Sequence, residues 1–510
     1  MSKYDYSKLQ NGSDIRGIAL EGVPGETVNL NSEAAGRLAR GFLFWLMQKT
    51  GKEAPDLTIS IGQDPRLSGD KIAANFMQAL HPYGCQILSA GLASTPAMFM
   101  STIFSEYTAD GAVMVTASHL PWNRNGLKFF DRDGGLNKGD ITDIITFAES
   151  DSILNSIRPA APREIKTIDL LNTYSAHLRR LITDGIGCSE TDSPLSGMKI
   201  TVDAGNGAGG FYASKVLQPL GADISSSQFL EPDGHFPNHA PNPEDKNAME
   251  AICTQVKTCG ADLGLIFDTD VDRSSAVDEK GREISRNGIV AMAAALIADK
   301  YPGTTVVTDS ITSNQLTVFL EDTLGLSHLR FKRGYKNVIN KSIELCRSGI
   351  DSQLAIETSG HAAYKENYFL DDGAYLATKI VIKAAQLFRE GRGISSLIAD
   401  LETPAESIEI RFPILSDDFV AYGDRILKDL EILTDSGQIK GASLVKPNYE
   451  GVRINFNQPS CKGWLLLRKS LHDPIMPLNI ESDIPGGVHE IRRVLKPLLA
   501  GYDKLDISKL

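Results

Sequence analysis

Short apolar runs of β type alternate with amphipathic helical segments over most of this chain. In the first part, β-type runs occupy residues 57–63 (LTISIGQ), 84–90 (GCQILSA) and 111–116 (GAVMVT), and 69–83 has a helical pattern. This alternation predicts βαβ units, in which helices cover the faces of a sheet. Because 510 residues are too many for one hydrophobic core, the pattern predicts several α/β domains in series.

Breaks in periodicity divide the chain into four regions. The stretches 158–164 (RPAAPRE) and 401–407 (LETPAES) interrupt the alternation, and after the second break the strands IEIRFPI, VRINF and GWLLLR are separated by longer helices. We therefore predict three α/β domains followed by a C-terminal α+β domain. The predicted bounds are 1–160, 167–285, 286–402 and 406–510.

Composition excludes some classes of partner. The formal net charge is -12 and no basic run interleaves with aromatic residues, so nucleic acid is not expected as a partner. The longest uncharged apolar run, 288–298, is far shorter than the ~20 residues that span a bilayer, so no membrane span is predicted. The cysteines are dispersed without a CxxC motif, which fits a reducing compartment; they are Cys85, Cys188, Cys253, Cys259, Cys346 and Cys461.

The two ends of the sequence bear on localisation. The start, MSKYDYSKLQ, has the pattern of neither a signal peptide nor a transit peptide. The last three residues, Ser508, Lys509 and Leu510, form the tripeptide SKL, which a peroxisomal import receptor reads at a free C-terminus. We expect a peroxisome or a related organelle, and the alternative is a cytoplasmic protein whose tail has this sequence by chance.

Three aspartates follow one apolar strand. The segment ADLGLIF ends at Phe267, and Asp268, Asp270 and Asp272 come next at alternate positions. Two like charges ~4 Å apart repel by about 4 kcal/mol at an effective dielectric constant near 20, so converging carboxylates need a cation. A hard divalent ion with oxygen ligands suits them, and we predict Mg²⁺.

Other interpretations of the same segment differ in what they require nearby. A calcium loop is excluded because Arg273 occupies the position that needs glycine and because a strand, rather than a helix, precedes the loop. A solvated acidic turn remains open. So does an aspartyl-phosphate enzyme of the haloacid-dehalogenase type, in which Asp268 would be the nucleophile.

Ser118 lies just after another apolar strand. It follows GAVMVTA and precedes the turn NRNG, in which Asn125 and Gly126 readily adopt positive φ. This places a hydroxyl at a strand end beside His119. A Ser-His pair is usually an ordinary loop, and the sequence around it lacks the GxSxG elbow of a hydrolase.

Four segments together resemble the α-D-phosphohexomutase superfamily, in the order that the family has them. TASHLPWNRNGLKFF (116–130) resembles its active-site serine loop, DTDVDR (268–273) its metal loop, ETSGH (357–361) its sugar loop, and RKSLHDP (468–474) its phosphate loop. The resemblance spans almost the whole chain and is strongest to phosphomannomutase/phosphoglucomutase-like members. Further matching segments are SDIRGIA (13–19), GQDPRLSG (62–69), VDAGNGAGG (202–210), EPDGHFPNHAPNPE (231–244) and DDGAY (371–375).

The resemblance implies a fold and a reaction. The fold is α/β, with three tandem α/β domains that each have a mixed sheet, plus the C-terminal α+β domain, around a central active-site cleft lined by one loop from each. The reaction interconverts hexose 6-phosphate and hexose 1-phosphate, of mannose and/or glucose, through a phosphoserine and a hexose 1,6-bisphosphate. Alternatives are a phosphoglucosamine or N-acetylglucosamine phosphate mutase and a catalytically weak, sugar-phosphate-binding regulatory homologue.

The resemblance also implies cofactors, partners and residue roles. Mg²⁺ and hexose 1,6-bisphosphate, as activator, would be the cofactors, small-molecule hexose phosphates the partners, and a monomer or dimer the assembly. Ser118 would carry the phosphoryl group and bind the metal with the three aspartates, while Lys128, His119 and Arg16 would assist catalysis. The implied substrate-binding residues are Arg273, Gly334, Tyr335, Glu357, Ser359, His361, Arg468 and Ser470.

The phosphate loop departs most from the family pattern. Leu471 replaces Gly or Asn, His472 replaces Thr and Asp473 replaces Glu. Leucine disfavours the turn that lets backbone amides hold a phosphate, and a hydroxyl donor is lost. Arg468 can still bind phosphate in a bidentate manner, and Lys469 adds charge. The sequence therefore leaves open which hexose phosphate is preferred.

Overall fold

A computed structural model describes residues 4–470 and 473–510. The chain divides into two compact units. The first unit takes in the residues up to Leu296 and Ser359–Leu397, and the second takes in Ile297–Thr358 and Ile398–Leu510.

The first unit contains a mixed sheet built from the N-terminal region. Its strand order is β1-β2-β6-β5-β3-β4-β8, with β7 against β6; β5, β3, β4 and β8 are parallel and the remaining pairs are antiparallel. The elements are β1 Gln10–Asn11, β2 Asp14–Ile18, α1 Ser32–Thr50, β3 Thr58–Gln63, α2 Gly69–Leu80, β4 Gln86–Leu92, α3 Thr95–Met100, β5 Gly111–Val115, β6 Arg124–Asp131, β7 Gly134–Gly135, α4 Lys138–Glu149, α5 Asp151–Ser156 and β8 Lys166–Thr167. The predicted βαβ unit is thus present as β3, α2 and β4.

A second mixed sheet in this unit has the order β12-β11-β10-β9, with β9 and β10 parallel and the other pairs antiparallel. Every residue of its central strand β10 is buried, as the apolar sequence predicts. The turn from β10 to β11 carries the three aspartates. The elements are α6 Leu170–Ile186, β9 Ile200–Asp203, a π-helical segment Tyr212–Leu217, α7 Lys246–Cys259, β10 Leu263–Phe267, β11 Ser274–Val277, β12 Glu283–Ile284 and α8 Asn287–Ala298.

The part of the chain from Thr305 to Arg389 contributes elements to both units. In the second unit β13 lies between β14 and β15, parallel to both. In the first unit β16 pairs antiparallel with β17, and the side chain of Asp372 caps the following helix, α11. The elements are β13 Thr305–Thr308, α9 Asn314–Val318, a π-helical segment Phe319–Thr323, β14 Ser327–Arg330, α10 Tyr335–Arg347, β15 Leu354–Ile356, β16 Ala362–Tyr364, β17 Leu370–Asp371 and α11 Gly373–Arg389.

The C-terminal region is an antiparallel sheet with the order β18-β22-β21-β20-β19. Two helices, α12 and α13, share one hydrophobic core with it. The fold class predicted from the sequence, α/β regions followed by an α+β region, is therefore confirmed. The elements are β18 Glu406–Pro413, α12 Phe419–Asp435, β19 Ala442–Leu444, β20 Val452–Gln458, β21 Cys461–Leu467, β22 Ile475–Ser482 and α13 Gly487–Leu499.

Short 3₁₀ turns join these elements, at Ser7–Leu9, Ala54–Asp56, His81–Tyr83, Glu190–Asp192, Gln218–Leu220, Lys365–Asn367 and Ile394–Ile398. Among the described helices, none combines the length and the apolar character needed to cross a membrane.

The C-terminal tripeptide packs on this last region. Leu510 is buried in the core, its carbonyl accepts a hydrogen bond from Lys496 Nζ at 2.6 Å, and the carbonyl of Lys509 accepts one from Arg492 at 3.1 Å. A receptor that binds the last three residues would first have to break these contacts. Import into a peroxisome stays a prediction.

A buried polar cluster joins β20 and β21 to the loop after β13 in the second unit. The Arg453 guanidinium lies 3.6 Å from the centre of the Trp464 ring and donates to the carbonyls of Ser310 and Thr312, each at 2.9 Å. Trp464 Nε1 donates to Glu481 Oε2 at 2.9 Å. The C-terminal sheet is thereby attached to the loop after β13 by stacking and by hydrogen bonds.

Glu481 should make the stability of the protein depend on pH. Burial raises the pKa of its carboxyl from 4.5 to about 7, despite the Trp464 N–H and the charge of Arg453. The folded state therefore holds the proton more tightly than the unfolded state, so this stability contribution is complete below about pH 4.5 and is lost as the pH rises through about 7. We expect the free energy of unfolding of the wild type to fall relative to Glu481→Gln by on the order of 2 kcal/mol over that interval.

Urea denaturation followed by tryptophan fluorescence at several pH values measures this difference. Glu431→Gln, at an exposed position of α12, is the matched control and should run parallel to the wild type. The same pH profile in Glu481→Gln as in the wild type would contradict the assignment.

Candidate active site

Ser118 lies just beyond the end of β5, where the backbone turns sharply. Its φ of +50° is in the left-handed region, which is uncommon for a residue with a side chain. Its side chain is buried, and Oγ lies 2.9 Å from Asp268 Oδ2 and 3.3 Å from His119 Nδ1. The serine hydroxyl is thus held at a strand end and contacts the first of the three aspartates.

Arg66 fixes the shape of the serine loop. Its buried guanidinium donates to the carbonyl of Ser118 and to those of Leu120, Pro121 and Arg124, the last three at 2.6, 2.9 and 3.1 Å. A planar guanidinium with several donors suits a set of converging carbonyls. In the sequence Arg66 stands out only as part of the matching segment GQDPRLSG, and the structure specifies what it supports.

Asp64 completes this support from the same segment. Its Oδ2 accepts a hydrogen bond from Thr116 Oγ1 at 2.6 Å, and Thr116 Oγ1 in turn accepts one from the backbone N–H of Ser118 at 2.8 Å. Burial raises the pKa of Asp64 to about 6, although the adjacent Arg66 opposes this. Sequence reasoning missed Asp64, and the only signal for it is its place in GQDPRLSG.

The three aspartates form a buried cluster in the turn between β10 and β11. Carboxylate oxygens of Asp268, Asp270 and Asp272 all lie within 4.8 Å of one another. Val271, between two of them, has a φ of +67°, a genuine strain for a β-branched residue. Oδ1 of Asp270 and Oδ1 of Asp272 are buried and accept no hydrogen bond from any described residue. Unpartnered carboxylate oxygens fit the donor set of a hard divalent cation.

Two cationic side chains already contact the cluster. Lys128 Nζ, from β6, donates to Asp270 Oδ2 at 2.9 Å and to Asp272 Oδ2. Arg273 donates through Nε and Nη2 to Asp268 Oδ2, both at 3.1 Å. Three carboxylates thus face two cations, which leaves a negative site when no metal is bound.

The carboxylates differ in how firmly they hold their charge. Burial and the charge of Asp272 raise the pKa of Asp268 well above its usual value. Burial also disfavours the charge of Asp272, but Lys128 outweighs it and holds the pKa of Asp272 well below its usual range. A further cation near Asp268 would remove the remaining repulsion.

His119 and Arg16 also contact the serine loop or its neighbours. Arg16 Nη1 donates to the carbonyl of Ala117 at 2.8 Å. His119 Nδ1 accepts from Arg273 Nη2 at 2.9 Å, so the ring proton is on Nε2. Burial and the charges of Arg273 and Arg16 lower the pKa of His119 to about 3, so the ring is neutral near pH 7.

His361 provides a further positive charge beside the cluster. Its Nδ1 lies 2.6 Å from Asp371 Oδ2 and 3.8 Å from Asp272 Oδ1. Burial disfavours the charged ring, but these two carboxylates outweigh it and raise the pKa of His361 to about 9. His361 is therefore protonated near pH 7.

A glycine at position 360 lets the segment before His361 lie close to β11. Gly360 has a φ of +93°, and a Cβ on it would lie 2.5 Å from the carbonyl oxygen of Ser274 on β11. Its neighbour Ser359 has a buried Oγ with no hydrogen-bond partner among the described residues. Because Gly360 allows this close approach, the backbones of Arg273 and His361 form an antiparallel β-bridge.

The remaining predicted site residues lie in the second unit. The N–H of Gly334, which precedes α10, donates to Glu357 Oε1 at 2.7 Å, and Tyr335 is the first residue of that helix. Arg468 is buried just after β21, and its Nε has no hydrogen-bond partner among the described residues. Ser470 Oγ accepts from the N–H of Asp473 at 3.3 Å. Leu471 and His472, two positions where the phosphate loop departs from the family pattern, lie outside the described residues.

Asp309 in the second unit was missed by sequence reasoning. It is fully buried after β13, where its Oδ2 accepts from Thr358 Oγ1 at 2.9 Å and lies 3.7 Å from Arg333 Nε. Glu357 precedes Thr358, so Asp309 anchors the sugar-loop segment. A signal was available, because Asp309 follows an apolar strand as Asp268 does.

Comparison with known protein families covers the three α/β regions. Models described as phosphoglucomutase/phosphomannomutase, alpha/beta/alpha domains I, II and III, match residues 7–151, 174–281 and 285–404 in that order. The chain belongs to the phosphoglucomutase/phosphomannomutase family. The resemblance drawn from the sequence is confirmed. The family depends on a metal, and the cluster of Asp268, Asp270 and Asp272 could bind one.

Individual members of the family match almost the whole chain. A phosphomannomutase/phosphoglucomutase of Pseudomonas aeruginosa is 27% identical over 496 residues, covering 96% of each chain. One of Pseudomonas syringae is 28% identical over 488 residues, covering 94% of this chain and 92% of the other. The crystal structure of a family protein from Burkholderia thailandensis has a TM-score of 0.75 at 23% identity and covers 96% of this chain and 98% of its own, which shows the same fold.

Asp270→Asn tests the acidic cluster as a metal site. The variant keeps the shape of the side chain but removes one ligand charge, so the dissociation constant for Mg²⁺ should rise about tenfold or more. Isothermal titration calorimetry with Mg²⁺ and with Mn²⁺ measures it. Asp143→Asn, on the exposed surface of α4, is the control and should bind as the wild type does. Equal affinity in Asp270→Asn and the wild type would contradict the site.

Arg66→Lys tests the support of the serine loop. Lysine keeps the charge but cannot reach four carbonyls at once, so the loop should open more often. We expect the amides of residues 117–124 to exchange hydrogen about tenfold faster or more, as measured by hydrogen–deuterium exchange with mass spectrometry. Arg163→Lys, at an exposed position, should leave this peptide unchanged, and protection equal to the wild type in Arg66→Lys would remove Arg66 from this role.

Proposed function

We propose that this protein is a phosphohexomutase that interconverts hexose 6-phosphate and hexose 1-phosphate of mannose and/or glucose. The observation that carries the proposal is the contact between Ser118 Oγ and Asp268 within the buried aspartate cluster. A serine at that place can carry a phosphoryl group only where cations offset the carboxylates. Family membership supports the same reaction.

The reaction proceeds as a two-step relay. Phosphoserine 118 gives its phosphoryl group to the free hydroxyl of a hexose monophosphate: the bond from phosphorus to Oγ breaks, a bond to the sugar oxygen forms, and the proton of that hydroxyl ends on the freed Ser118 Oγ. The resulting hexose 1,6-bisphosphate reverses its orientation in the site and returns its other phosphate to Ser118. Hexose 1,6-bisphosphate therefore also serves as the activator that phosphorylates a resting enzyme.

The residues of the first unit stabilise charge during transfer. A phosphoserine carries about -1.5 to -2 charges at neutral pH and would be repelled by three carboxylates. Asp268, Asp270 and Asp272 with Ser118 would hold Mg²⁺, which supplies charge neutralisation at the transferring group when bound. Lys128 and Arg273 offset the remaining charge, and such electrostatic positioning accounts for most catalysis in phosphoryl transfer.

Charge stabilisation and positioning of the serine involve different side chains in this scheme. Lys128 is held between two carboxylates, which favours a charge-stabilising role at the phosphoryl group. His119 is neutral and 3.3 Å from Ser118 Oγ, and Arg16 holds the preceding carbonyl, so both position the serine. His361 is protonated and can donate a hydrogen bond to a substrate oxygen.

The second unit supplies groups for the rest of the substrate. Glu357, oriented by the Gly334 N–H, suits two sugar hydroxyls, with Tyr335 as a further contact. Ser359, which belongs to the first unit, is a further candidate contact. Arg468 and Ser470 bind the phosphate that is not transferred. The changed residues of the phosphate loop favour a shifted substrate preference, so an amino-sugar phosphate, or a homologue that binds without efficient turnover, is the second candidate.

Ser118→Ala is the decisive variant for this mechanism. Intact-mass spectrometry of the wild type, after incubation with hexose 1,6-bisphosphate, should give one phosphoryl adduct, and the variant should give none. In a coupled mutase assay with mannose, glucose and glucosamine phosphates, turnover should fall at least about a thousandfold, because the group that forms the covalent intermediate is gone.

Ser105→Ala, at an exposed position of the same unit, is the control and should keep both the adduct and the turnover. Unchanged turnover in Ser118→Ala would refute the relay. A phosphoryl adduct on Asp268 would favour an aspartyl-phosphate enzyme, and binding without turnover in the wild type would favour the regulatory homologue.

A further inference from the structure

Arg468 presents an unusual problem of charge in the second unit. Arg468 is 8% exposed, its Nε has no hydrogen-bond partner among the described residues, and no carboxylate of those residues forms an ion pair with it. A buried guanidinium N–H that is left unpaired is costly, so such a group indicates an anion that binds there. The phosphate loop of this chain has His472 where the family pattern has threonine, so a hydroxyl donor is lost.

A second arginine is brought to the same place by packing between two loops. The ring of Phe331 lies 4.9 Å from that of Tyr449, and the backbone N–H of Arg333 donates to Glu450 Oε2 at 3.3 Å. The segment that carries Arg333 is therefore fixed against the segment 449–451.

The segment 449–451 in turn lies directly against Arg468. Gly451 has a φ of +59°, and a Cβ on it would lie 2.8 Å from Cβ of Arg468. Arg333 and Arg468 thus contact opposite ends of the dipeptide Glu450–Gly451. The Arg333 side chain is part-exposed and lies 3.7 Å from buried Asp309.

The two guanidinium groups influence each other electrostatically. Burial and, next, the positive charge of Arg333 lower the pKa of Arg468, while Glu450, Glu409 and Asp309 act in the opposite direction. Two like charges close enough to influence each other in a partly buried site are stabilised by a doubly charged anion that binds both. A phosphate monoester dianion has that charge and matches two planar forks of donors.

We propose that Arg333 is a second phosphate-binding residue, which acts with Arg468 on the phosphate that is not transferred. This inference rests on the proposed function for the identity of the substrate. Arg333 supplies the donors that the altered phosphate loop lacks, and the ligand it recognises is the phosphate group of a hexose phosphate.

Direct binding separates this inference from turnover. Dissociation constants for glucose 6-phosphate, glucose 1-phosphate and inorganic phosphate would be measured by calorimetry in a Ser118→Ala background, where no mutase cycle occurs. The variants are Arg333→Met, Arg468→Met, the two combined, and Arg347→Met, an exposed arginine at the end of α10 that serves as the control.

Loss of charged hydrogen bonds sets the expected size of the effect. Arg333→Met should raise each dissociation constant about tenfold or more, whereas Arg347→Met should change it less than about twofold. Because both arginines hold one phosphate, the double variant should lose less than the product of the two single losses. Arg333→Lys should recover part of the affinity and serves as a second variant should Arg333→Met prove unstable. With Ser118 present, Arg333→Met should raise KM and leave kcat nearly unchanged.

The outcomes distinguish this inference from the proposed function. Wild-type affinity in Arg333→Met and Arg333→Lys, or fully multiplicative losses in the double variant, would overturn it and leave the mutase proposal intact. A protein that turns over no hexose phosphate, but binds inorganic phosphate in an Arg333-dependent manner, would keep the phosphate site and refute the mutase. Loss of binding in Arg347→Met equal to that in Arg333→Met would also overturn it.

Discussion

Repulsion among three buried carboxylates is the constraint on which the first unit depends. The carboxylate oxygens of Asp268, Asp270 and Asp272 lie within 4.8 Å of one another. All three residues are buried, so water does not screen their charges. Lys128, from β6, and Arg273, from the same turn as the aspartates, offset part of this repulsion. The sheet of the N-terminal region and the sheet that ends in the aspartates are therefore tied together by charge as well as by apolar packing.

The same constraint explains why Ser118 is held so firmly. Its backbone adopts a left-handed conformation that costs about 1–3 kcal/mol, and this is stable only because neighbouring groups over-determine it. Arg66 binds the loop carbonyls, and Asp64 acts through Thr116 on the N–H of Ser118. A preorganised hydroxyl does not need to reorganise when charge develops at the site.

The second unit contains a buried arginine that forms no ion pair with a described carboxylate. Arg468 Nε has no hydrogen-bond partner among the described residues, and the segment that carries Arg333 is held near Arg468 through Glu450 and Gly451. The aspartate cluster of the first unit suits a hard cation, whereas the buried guanidinium of Arg468 suits an anion.

Some of this could be predicted from the sequence, and the reasons differ by residue. The aspartates follow an apolar strand at alternate positions, so chemistry and periodicity together predicted converging carboxylates that need a cation. Ser118 was predicted only through its resemblance to a family, because a Ser-His pair in a loop has no distinctive pattern of its own. The βαβ alternation was enough to predict the fold class.

Other residues could not be predicted because their roles depend on contacts between distant segments. Arg66 binds carbonyls more than fifty positions away along the chain, and Arg333 meets Arg468 only through a turn at 449–451. Asp309 has the strand-end signal of Asp268, but a single aspartate in that position is too common to single out. Such residues become visible only when the segments that they join are placed in space.

The most direct test of the central claim is an anomalous difference map from crystals grown with Mn²⁺ in place of Mg²⁺. We expect one strong peak within coordination distance of carboxylate oxygens of Asp268, Asp270 and Asp272 and next to Ser118 Oγ. A map with no peak at the three aspartates, from crystals that bind Mn²⁺ elsewhere on the chain, would contradict it.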